Sequence, residues 1–266
     1  MLGTRKVGHA GTLDPMATGV LVVGVNRATR LLGLLALDDK EYAATIRLGI
    51  TTRTDDADGE VLTTAGAASL AQDRLAATVL TLTGDLQQVP SAVSAIKVDG
   101  VRAYARVRAG HDVALAPRAV RVSRFELRDR RDGLVDGVPV VDVDVVVECS
   151  TGTYVRALAR DLGAALGTGG HLTALRRLRS GPFSAAEAQV LTEDPPALLA
   201  LADAVRRCFA SMTVDDATAA AVRNGRRLTK TTLPAPRTAL FAGSGDFLAL
   251  YRQQLSDAIP EAVFAE

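Results

Sequence analysis

The feature that most constrains the fold is an alternation of apolar and polar side chains between residues 141 and 149, which only Val146 interrupts. The odd positions hold four valines and Cys149, and three of the even positions hold Asp142, Asp144 and Glu148. A second alternating segment covers residues 42–48. Because successive side chains of a strand point to opposite faces, both segments predict strands with one buried face.

Helical patterns are interspersed with these strands in no regular strand–helix–strand order. The clearest is the i, i+4, i+7, i+8 stripe that Leu158, Leu162, Ala165 and Leu166 place on one helix face. The mixture predicts an α+β fold with a mixed, largely antiparallel sheet flanked by helices. After Ser211 the segments are short and punctuated by Gly and Pro, which predicts a small β-rich domain over residues 211–266 behind a main domain over residues 1–210.

Capping signals and local apolar spacing predict several further elements. The predictions are a buried strand over residues 20–25, a helix capped by Asn26 and ending near Leu37, a helix opened by a capping box at Ser69 and Gln72, a cap at Ser150 or Thr151 for the helix with the leucine stripe, and helices over residues 172–178 and 196–209.

Composition narrows the class of protein. The chain has 266 residues, of which 48% are hydrophobic and 23% charged, and this argues against disorder. No apolar run approaches the ~18 residues of a membrane helix, and no apolar signal segment follows the N-terminus. The two cysteines and three histidines lie far apart, which argues against a disulfide framework and a zinc site. We therefore expect a soluble cytoplasmic protein with no membrane or metal partner.

The net charge is only +1, but the charges are unevenly distributed. Residues 97–131 hold ten basic and four acidic side chains, residues 223–237 hold five basic and none acidic, and residues 38–60 hold three basic and seven acidic. Basic segments on a neutral protein suit a polyanion that docks on one face. The alternative is a solvated surface in an arginine-rich chain, since 27 of the 31 basic residues are Arg.

Asp14 is the first candidate for a catalytic side chain. It lies in the glycine-rich loop Gly8-His9-Ala10-Gly11-Thr12-Leu13-Asp14-Pro15, just before the predicted strand over residues 20–25. The two glycines permit backbone conformations that let a ligand approach closely. The alternative is an aspartate that only hydrogen-bonds its own turn, and local sequence taken alone favours that alternative.

Arg156 and Tyr42 are further candidates, each with a structural alternative. Arg156 and Arg160 are one helical turn apart, opposite the leucine stripe, and a guanidinium beside a carboxylate favours the ionised, nucleophilic form. The two arginines could instead form a surface pair with Asp161. Tyr42 begins an apolar strand face, where it can stack on a base and offer its hydroxyl, or serve as an ordinary core tyrosine.

Two other motifs do not predict ligand sites. Residues 54–59, Thr-Asp-Asp-Ala-Asp-Gly, resemble the start of a calcium loop, but the twelfth position is Ala65 instead of the glutamate that an EF-hand needs. Residues 167–170, Gly-Thr-Gly-Gly, lack the Lys-Ser/Thr of a phosphate-binding loop. We interpret the first as a polar turn and the second as a helix stop.

Four longer segments occur in a fixed order along the chain. They are GHAGTLDPMATGVL over residues 8–21, DKEY over 39–42, QVPSAVSAIK over 88–97 and CSTGTYVR over 149–156, and the stretch over 171–177 fits with them. Together they resemble the motifs of the TruB family, the bacterial tRNA pseudouridine-55 synthases, over about residues 5–210. The resemblance implies the pseudouridine synthase fold, an RNA-clamping insertion at about residues 88–118 and a PUA-like C-terminal domain.

The resemblance also implies three catalytic residues. Asp14 matches the family's nucleophile, Arg156 matches the arginine that pairs with it, and Tyr42 matches the tyrosine that stacks on the flipped uracil and assists proton transfer. The implied reaction converts uridine to pseudouridine at position 55 in the T-arm of tRNA. It involves no redox change, so no cofactor is expected. The base is inaccessible in a folded T-arm, so it must be flipped into a pocket.

Further substrate-binding residues follow from the same resemblance. His9 matches a histidine that contacts the nucleic acid near the flipped base, Tyr154 and Leu175 match residues that line the uridine pocket, and Lys97 lies in the clamping insertion. The expected partner is the T stem-loop of tRNA, whose phosphates the basic residues over 97–131 would neutralise. We expect a monomer.

The chain departs from the family pattern at its start, and two other functions are alternatives to the implied one. The Lys-Pro-x-Gly-x-Thr-Ser-type segment that usually precedes the first motif has no counterpart in the given sequence. Either the start is misassigned, the chain is truncated, or this member lacks the element, and we expect a true loss to weaken folding or activity. A non-catalytic RNA-binding or tRNA-folding protein on the same scaffold would not need an anion at Asp14. A carboxylate-dependent hydrolase would need a second, clearly placed carboxylate.

Overall fold

A computed structural model describes residues 2–36, 39–91, 97–98, 101–102, 115–192, 194 and 196–264. The chain forms two compact units. We name Thr12–Leu21 with Leu37–Ala188 the sheet unit, and Met1–Gly11 with Val22–Ala36 and Gln189–Glu266 the terminal unit. The predicted domain boundary at residues 210 and 211 stays a prediction.

Strands outnumber helices in the described part of the chain. In chain order, the strands are β1 (Val7–Ala10), β2 (Thr18–Gly19), β3 (Val22–Val25), β4 (Lys40–Leu48), β5 (Thr51–Thr52), β6 (Val61–Thr63), β7 (Gly84–Gln88), β8 (Lys97–Val98), β9 (Val101–Arg102), β10 (Arg118–Val135), β11 (Val138–Cys149), β12 (Gly170–Ser180), β13 (Phe183–Ser184), β14 (Ala210–Val214), β15 (Arg237–Ala242), β16 (Phe247–Gln254) and β17 (Asp257–Val263). The α-helices are α1 (Leu32–Leu35), α2 (Gln72–Thr81), α3 (Val155–Leu166), α4 (Leu201–Cys208) and α5 (Asp216–Arg223), and a 3-10 helix covers Asn26–Leu31.

The sheet unit is built on one large sheet with the strand order β13-β12-β4-β11-β10-β7. These neighbours pair antiparallel, and β2 adds a parallel pairing to β12. The alternating segments are β4 and β11, and their apolar side chains form the buried face. Helices α2 and α3 contribute Leu75, Leu158 and Leu162 to this core. The predicted α+β fold with a mixed, largely antiparallel sheet is confirmed.

The opposite face of this sheet is covered by ion pairs between neighbouring strands. Arg47 on β4 pairs with Asp142 on β11 at 2.7 Å, and Arg131 on β10 pairs with Asp144 on β11 at 2.6 Å. This face therefore explains the charged half of the alternation. Water screens such partly exposed pairs, so the sheet is held chiefly by its apolar face.

The terminal unit contains the predicted small β-rich segment. Strands β14 to β17 form one sheet in that order, with β14 parallel to β15 and the other pairs antiparallel. Strands β1 and β3 form an antiparallel pair in the same unit. The Arg30 guanidinium lies 4.8 Å from the ring centre of Phe264, and Arg27 donates a hydrogen bond to the Phe264 carbonyl at 3.3 Å. These contacts join the N-terminal part of the unit to the end of its C-terminal sheet.

The helix predicted over residues 172–178 is wrong, because this segment is part of strand β12. Leu172, Leu175 and Leu178 recur every three residues, which suggests a helix. The pairing of β12 with β4 contains irregularities between Leu172 and Ala174 and between Arg177 and Arg179. A bulge inserts an extra residue and shifts the alternation, so the two-residue period of a strand is hidden.

The predicted helix caps are also wrong. Asn26 and Ser69 have positive φ angles of 52° and 61°, and neither side chain caps a helix. Ser150 instead accepts a hydrogen bond from the Arg121 N–H at 2.9 Å, and α3 starts later, at Val155. In each case a local capping signal is overridden by a turn or a neighbouring strand.

Other predicted boundaries are only partly right. Residues 20–25 contain strand β3 at their end, while Leu21 and Val23 are exposed, so the segment is not one buried strand. The helix predicted over residues 196–209 is the shorter α4. In the part of the chain that the structure describes, no helix is long and apolar enough to cross a membrane.

Candidate active site

Asp14 lies in a tight turn that the large sheet holds in place. Its carbonyl accepts a hydrogen bond from the Ala17 N–H at 2.9 Å, and β2 follows at once beside β12. Gly19 has a φ of +100°, and a Cβ atom there would lie 2.1 Å from the Arg177 carbonyl oxygen. Only glycine permits this close pairing. The turn that carries Asp14 is therefore anchored on β12 through the strand that directly follows it.

Arg156 binds the Asp14 carboxylate with two hydrogen bonds. Its Nε donates to Oδ2 at 3.0 Å and its Nη2 donates to Oδ1 at 2.8 Å. The Arg156 side chain is only 6% exposed, whereas that of Asp14 is 32% exposed. This bidentate geometry orients the carboxylate and stabilises its negative charge while one side stays open to a ligand. Arg156 is thus buried, and the interpretation of Arg156 as a surface arginine does not fit its position.

Asp56 is a second carboxylate on the same guanidinium. Arg156 Nη1 donates to Asp56 Oδ2 at 3.2 Å and to the Thr54 carbonyl at 2.9 Å. The Asp56 side chain is 6% exposed, and it accepts hydrogen bonds from the Thr54 hydroxyl and from the Asp58 N–H. Because a buried charge must be paired and hydrogen-bonded, this set of donors keeps both ions in place.

Sequence reasoning missed Asp56. The segment over residues 54–59 is a turn, as interpreted, but its central aspartate contacts a residue 100 positions away. A run of aspartates in a turn is common on protein surfaces, and nothing in local spacing separates a buried member from an exposed one. The formal charges of Asp14, Asp56 and Arg156 add up to one net negative charge.

Tyr42 lies on the apolar face of β4, next to this cluster. It is 9% exposed and is paired in register with Arg177 of β12, which hydrogen-bonds to it. Burial raises the pKa of Tyr42 above its ordinary value of 10.0, the Arg177 guanidinium opposes that shift, and the Asp14 carboxylate adds to it. Arg177 is itself buried, and its Nε donates to the Val20 carbonyl at 2.8 Å.

Tyr154 and Leu175 lie on two other elements beside the same site. Leu175 is buried on β12, in register with Ala44 and on the same sheet face as Tyr42. Tyr154 is the residue before α3. Burial raises the pKa of Tyr154, Arg118 and Arg156 oppose the shift, and Asp14 adds to it. The structure therefore brings five of the seven predicted site residues together: Asp14, Tyr42, Tyr154, Arg156 and Leu175.

For the remaining two predicted residues, His9 and Lys97, the role at this site stays a prediction. His9 is exposed on β1 and belongs to the terminal unit. Lys97 lies in β8, and its side chain lies outside the described part of the chain. Most of the predicted clamping insertion, residues 92–96, 99–100 and 103–114, likewise lies outside the described residues. Arg160 is not at the site either, because it pairs with Asp161 and Asp55.

The arrangement suits nucleophilic chemistry by a single carboxylate. Asp14 is oriented, accessible on one side and flanked by two tyrosines. Hydrolysis by a pair of carboxylates would need a second one across the substrate from the first. Asp56 is buried behind Arg156 and is bound by it, so it cannot reach a substrate as an acid or base. The geometry therefore disfavours the hydrolase alternative.

Three family models match consecutive parts of the chain. Residues 1–155 match the N-terminal domain of TruB family pseudouridylate synthases. Residues 156–207 match the C-terminal domain of tRNA pseudouridylate synthase B, and residues 209–265 match the C-terminal region of tRNA pseudouridine synthase II. The three matches follow one another along the whole chain, in the order expected for one type of protein.

Relatives and solved structures agree with these models. Proteins named tRNA pseudouridine synthase B from Cutibacterium acnes and Nocardia farcinica are each 58% identical, covering 95% and 98% of this chain and 85% and 84% of their own lengths. A chain of an H/ACA ribonucleoprotein bound to a substrate RNA containing 2′-deoxyuridine has a TM-score of 0.67 at 22% identity, covering 100% of this chain and 78% of its own. A chain of a Cbf5-Nop10-Gar1 complex has a TM-score of 0.66 at 24% identity, and the match covers 100% of this chain and 77% of that one. The last two show the fold, and the family models and bacterial relatives show that this chain belongs to the TruB family of pseudouridine synthases.

Proposed function

We propose that this protein isomerises uridine to pseudouridine in tRNA, with position 55 of the T-arm as its target. The observation that carries the proposal is the partly exposed Asp14 carboxylate, held by buried Arg156 next to Tyr42. A protein that only binds RNA has no use for an oriented anion beside a polyanion, because the two repel each other. The names of the bacterial relatives support the same reaction.

The reaction would use the site residues in sequence. The target uridine flips out of the stacked loop, and its base enters the pocket beside Tyr42 and Leu175. Asp14 then attacks either the ribose C1′ or the uracil C6. The N1–C1′ bond breaks, the uracil turns, and a new bond joins C5 to C1′. The bond between Asp14 and the substrate, at C1′ or at C6, also breaks, so the free carboxylate is regenerated. The proton leaves C5 and N1 gains one, so the product is an isomer of the substrate.

The surrounding residues would assist this step in two ways. Arg156 orients the carboxylate through two hydrogen bonds and balances its negative charge while the bound RNA excludes water. Tyr42 can stack on the base and exchange a proton through a hydroxyl that stays protonated near neutral pH. Arg177 hydrogen-bonds to Tyr42 and to the carbonyl of Val20, the residue directly after β2, and so connects this tyrosine to the segment that follows the Asp14 turn.

We propose the T stem-loop as the recognised part of tRNA, with basic residues over 97–131 neutralising its phosphates. The same proposal has the protein act as a monomer in the bacterial cytoplasm. The catalytic triplet Asp14, Tyr42 and Arg156 comes from a single chain, and the relatives named above are bacterial. A T-arm hairpin RNA should therefore serve as substrate at a rate close to that of the full tRNA transcript.

The test is tritium release from a tRNA transcript labelled at C5 of uridine. We expect the wild-type protein to release tritium and Asp14→Asn to lower kcat by about a thousandfold or more, since the amide cannot act as the nucleophile. Asp58→Asn, an exposed aspartate of a nearby turn, is the matched control and should keep full activity. Filter binding should give similar Kd values for all three proteins.

Each other result has a clear meaning. Tritium release by Asp14→Asn at the wild-type rate would remove Asp14 from the mechanism. Tight tRNA binding without release by any of the proteins would support the RNA-binding alternative. Release from an anticodon hairpin but not from the T-arm hairpin would contradict the proposed target.

A further inference from the structure

We infer that Gln88 is a positioning residue for this site: its side-chain amide fixes the start of α3, which carries Arg156. The inference rests on the proposed function for its consequence in catalysis. Gln88 ends β7 and is 3% exposed. It is the first residue of the motif over residues 88–97, but the resemblance of that motif assigns it no role in the site described above.

The geometry of the Gln88 amide is specific. Its Oε1 accepts a hydrogen bond from the Tyr154 N–H at 2.8 Å, and its Nε2 donates to the Tyr154 carbonyl at 3.1 Å. One side chain therefore pairs with both main-chain polar groups of one residue, as a neighbouring strand would. The pairing also fixes the amide orientation, because only the oxygen can accept and only the nitrogen can donate.

Helix α3 needs such an external partner. Tyr154 occupies its N-cap position with an extended backbone and makes no side-chain capping hydrogen bond. The Tyr154 carbonyl already accepts the first helical hydrogen bond, from the Leu158 N–H at 3.1 Å. The Gln88 amide thus holds the residue at which the helix begins, and Arg156 follows two residues later. The main-chain position of Arg156 depends on this contact.

Two further contacts tie the end of β7 to the same helix and to the sheet. Arg160 Nη2 donates to the Val89 carbonyl at 2.7 Å, one turn after Arg156. Gln88 itself is in register with Arg118 of β10, which belongs to the large sheet. The amide is therefore fixed to the sheet on one side and to α3 on the other. A shift of Gln88 would move Tyr154 and the Arg156 guanidinium together, away from Asp14.

The test replaces the amide with an apolar side chain of similar length. We expect Gln88→Met to lower kcat for tritium release by about 10- to 100-fold, because a displacement on the order of 1 Å in an oriented site costs that much. The KM for tRNA should change less than about threefold. Gln87→Met, the exposed neighbour on the same strand, is the matched control and should keep the wild-type kcat.

A second control separates positioning from general stability. Leu75→Ala removes a buried side chain of α2 and should lower the melting temperature at least as far as Gln88→Met, without the loss of kcat. If Leu75→Ala lowered kcat as strongly at matched stability, the positioning role would be overturned. Equal changes in kcat and KM for Gln88→Met would overturn it as well.

Hydrogen exchange gives a readout that does not need activity. In Gln88→Met, amide exchange in a peptide spanning residues 153–160 should accelerate by about tenfold or more, while a peptide from β12 should exchange as in the wild type. Unchanged exchange at residues 153–160 would overturn the inference. If the wild-type protein released no tritium, the proposed function would fail, and the exchange result alone would decide whether Gln88 fixes α3.

Discussion

The guanidinium of Arg156 contacts Asp14 on one side and Asp56 on the other. The two aspartates differ in exposure, so they can differ in role. Asp14 is open to a ligand, whereas Asp56 is buried and hydrogen-bonded to Thr54, Asp58 and the arginine within the described part of the chain. Asp56 is therefore a positioning partner that limits how the arginine can rotate.

Replacing Asp56 should test that role. Asp56→Asn keeps the shape and one acceptor but leaves the buried guanidinium with less negative charge. We expect kcat to fall by about tenfold and the free energy of unfolding to fall by about 1–3 kcal/mol. Tritium release and urea titration would measure the two effects. A variant with wild-type kcat would show that the bidentate contact with Asp14 positions Arg156 by itself.

The pKa of Tyr42 gives a prediction for pH dependence. Burial raises this pKa above 10.0, so the hydroxyl stays protonated throughout the neutral range. The part of the free energy of unfolding that comes from the neutral hydroxyl is therefore lost only as pH rises through the raised pKa. Tyr42→Phe removes the hydroxyl and should lower kcat by about 10- to 100-fold. Because the hydroxyl does not ionise there, the ratio of the variant's kcat to the wild-type kcat should stay constant between about pH 6 and 9. Tritium release across this range checks it, and a ratio that changes with pH would mean that the tyrosine ionises there.

At the level of single residues, the sequence predicts the site unevenly. Residue type and motif point to Asp14, Tyr42 and Arg156, and the structure brings all three together. They do not point to Asp56 or Arg177, whose importance comes from burial and from partners far along the chain. Burial of a polar side chain leaves no mark in local periodicity.

Strands β2 and β12 form the element that supports the Asp14 turn. Gly19→Ala should disrupt their pairing, because the new Cβ would collide with the Arg177 carbonyl and the φ of +100° is unfavourable for alanine. We expect a loss of about 3 kcal/mol or more in the free energy of unfolding, together with a drop in kcat.

Gly84→Ala is the control for that change. Gly84 has a similar φ of +106°, but a Cβ atom there meets nothing within 4 Å. Gly84→Ala should therefore lower the free energy of unfolding by only about 1–2 kcal/mol, which is the cost of the backbone conformation. Equal losses in the two variants, measured by urea titration, would show that the contact with β12 is unimportant.

At the level of elements, periodicity identifies long regular strands and fails for irregular ones. β4 and β11 keep the two-residue period in the segments that form the core, so both are predicted correctly. β12 carries two irregularities against β4, and its leucines then fall at helical spacing. The difference is physical: a bulge changes which face a side chain occupies without changing the strand itself.

The terminal unit, at the scale of the whole molecule, joins parts of the chain that are far apart in sequence. Phe264 is buried near the C-terminus and contacts Arg27 and Arg30 as well as Phe247. Phe264→Ala should lower the free energy of unfolding by about 3–5 kcal/mol and so lower the melting temperature. Leu255 is 95% exposed, so Leu255→Ala should change the melting temperature little. Calorimetry of both variants checks this. Similar melting temperatures for the two would mean that Phe264 is dispensable.

The sequence predicts a β-rich C-terminal segment but not its association with residues 1–11 and 22–36. Composition marks the change in character after Ser211, because short segments with Gly and Pro are a local property. The association depends on contacts between residues more than 200 positions apart, such as that of Arg27 with the Phe264 carbonyl. No local pattern encodes such a partner.

The pairing of Asp14 with Arg156 spans 142 positions of the chain, which sets when the site can form during synthesis. The turn with Asp14 leaves the ribosome early, but its arginine is translated much later, and β12, which anchors the turn, ends only at Ser180. Before Arg156 is made the aspartate lacks its partner, and before β12 is complete its turn lacks its support. A growing chain can therefore carry the motif long before it carries the activity, and a translation product that ends before β12 should not isomerise uridine.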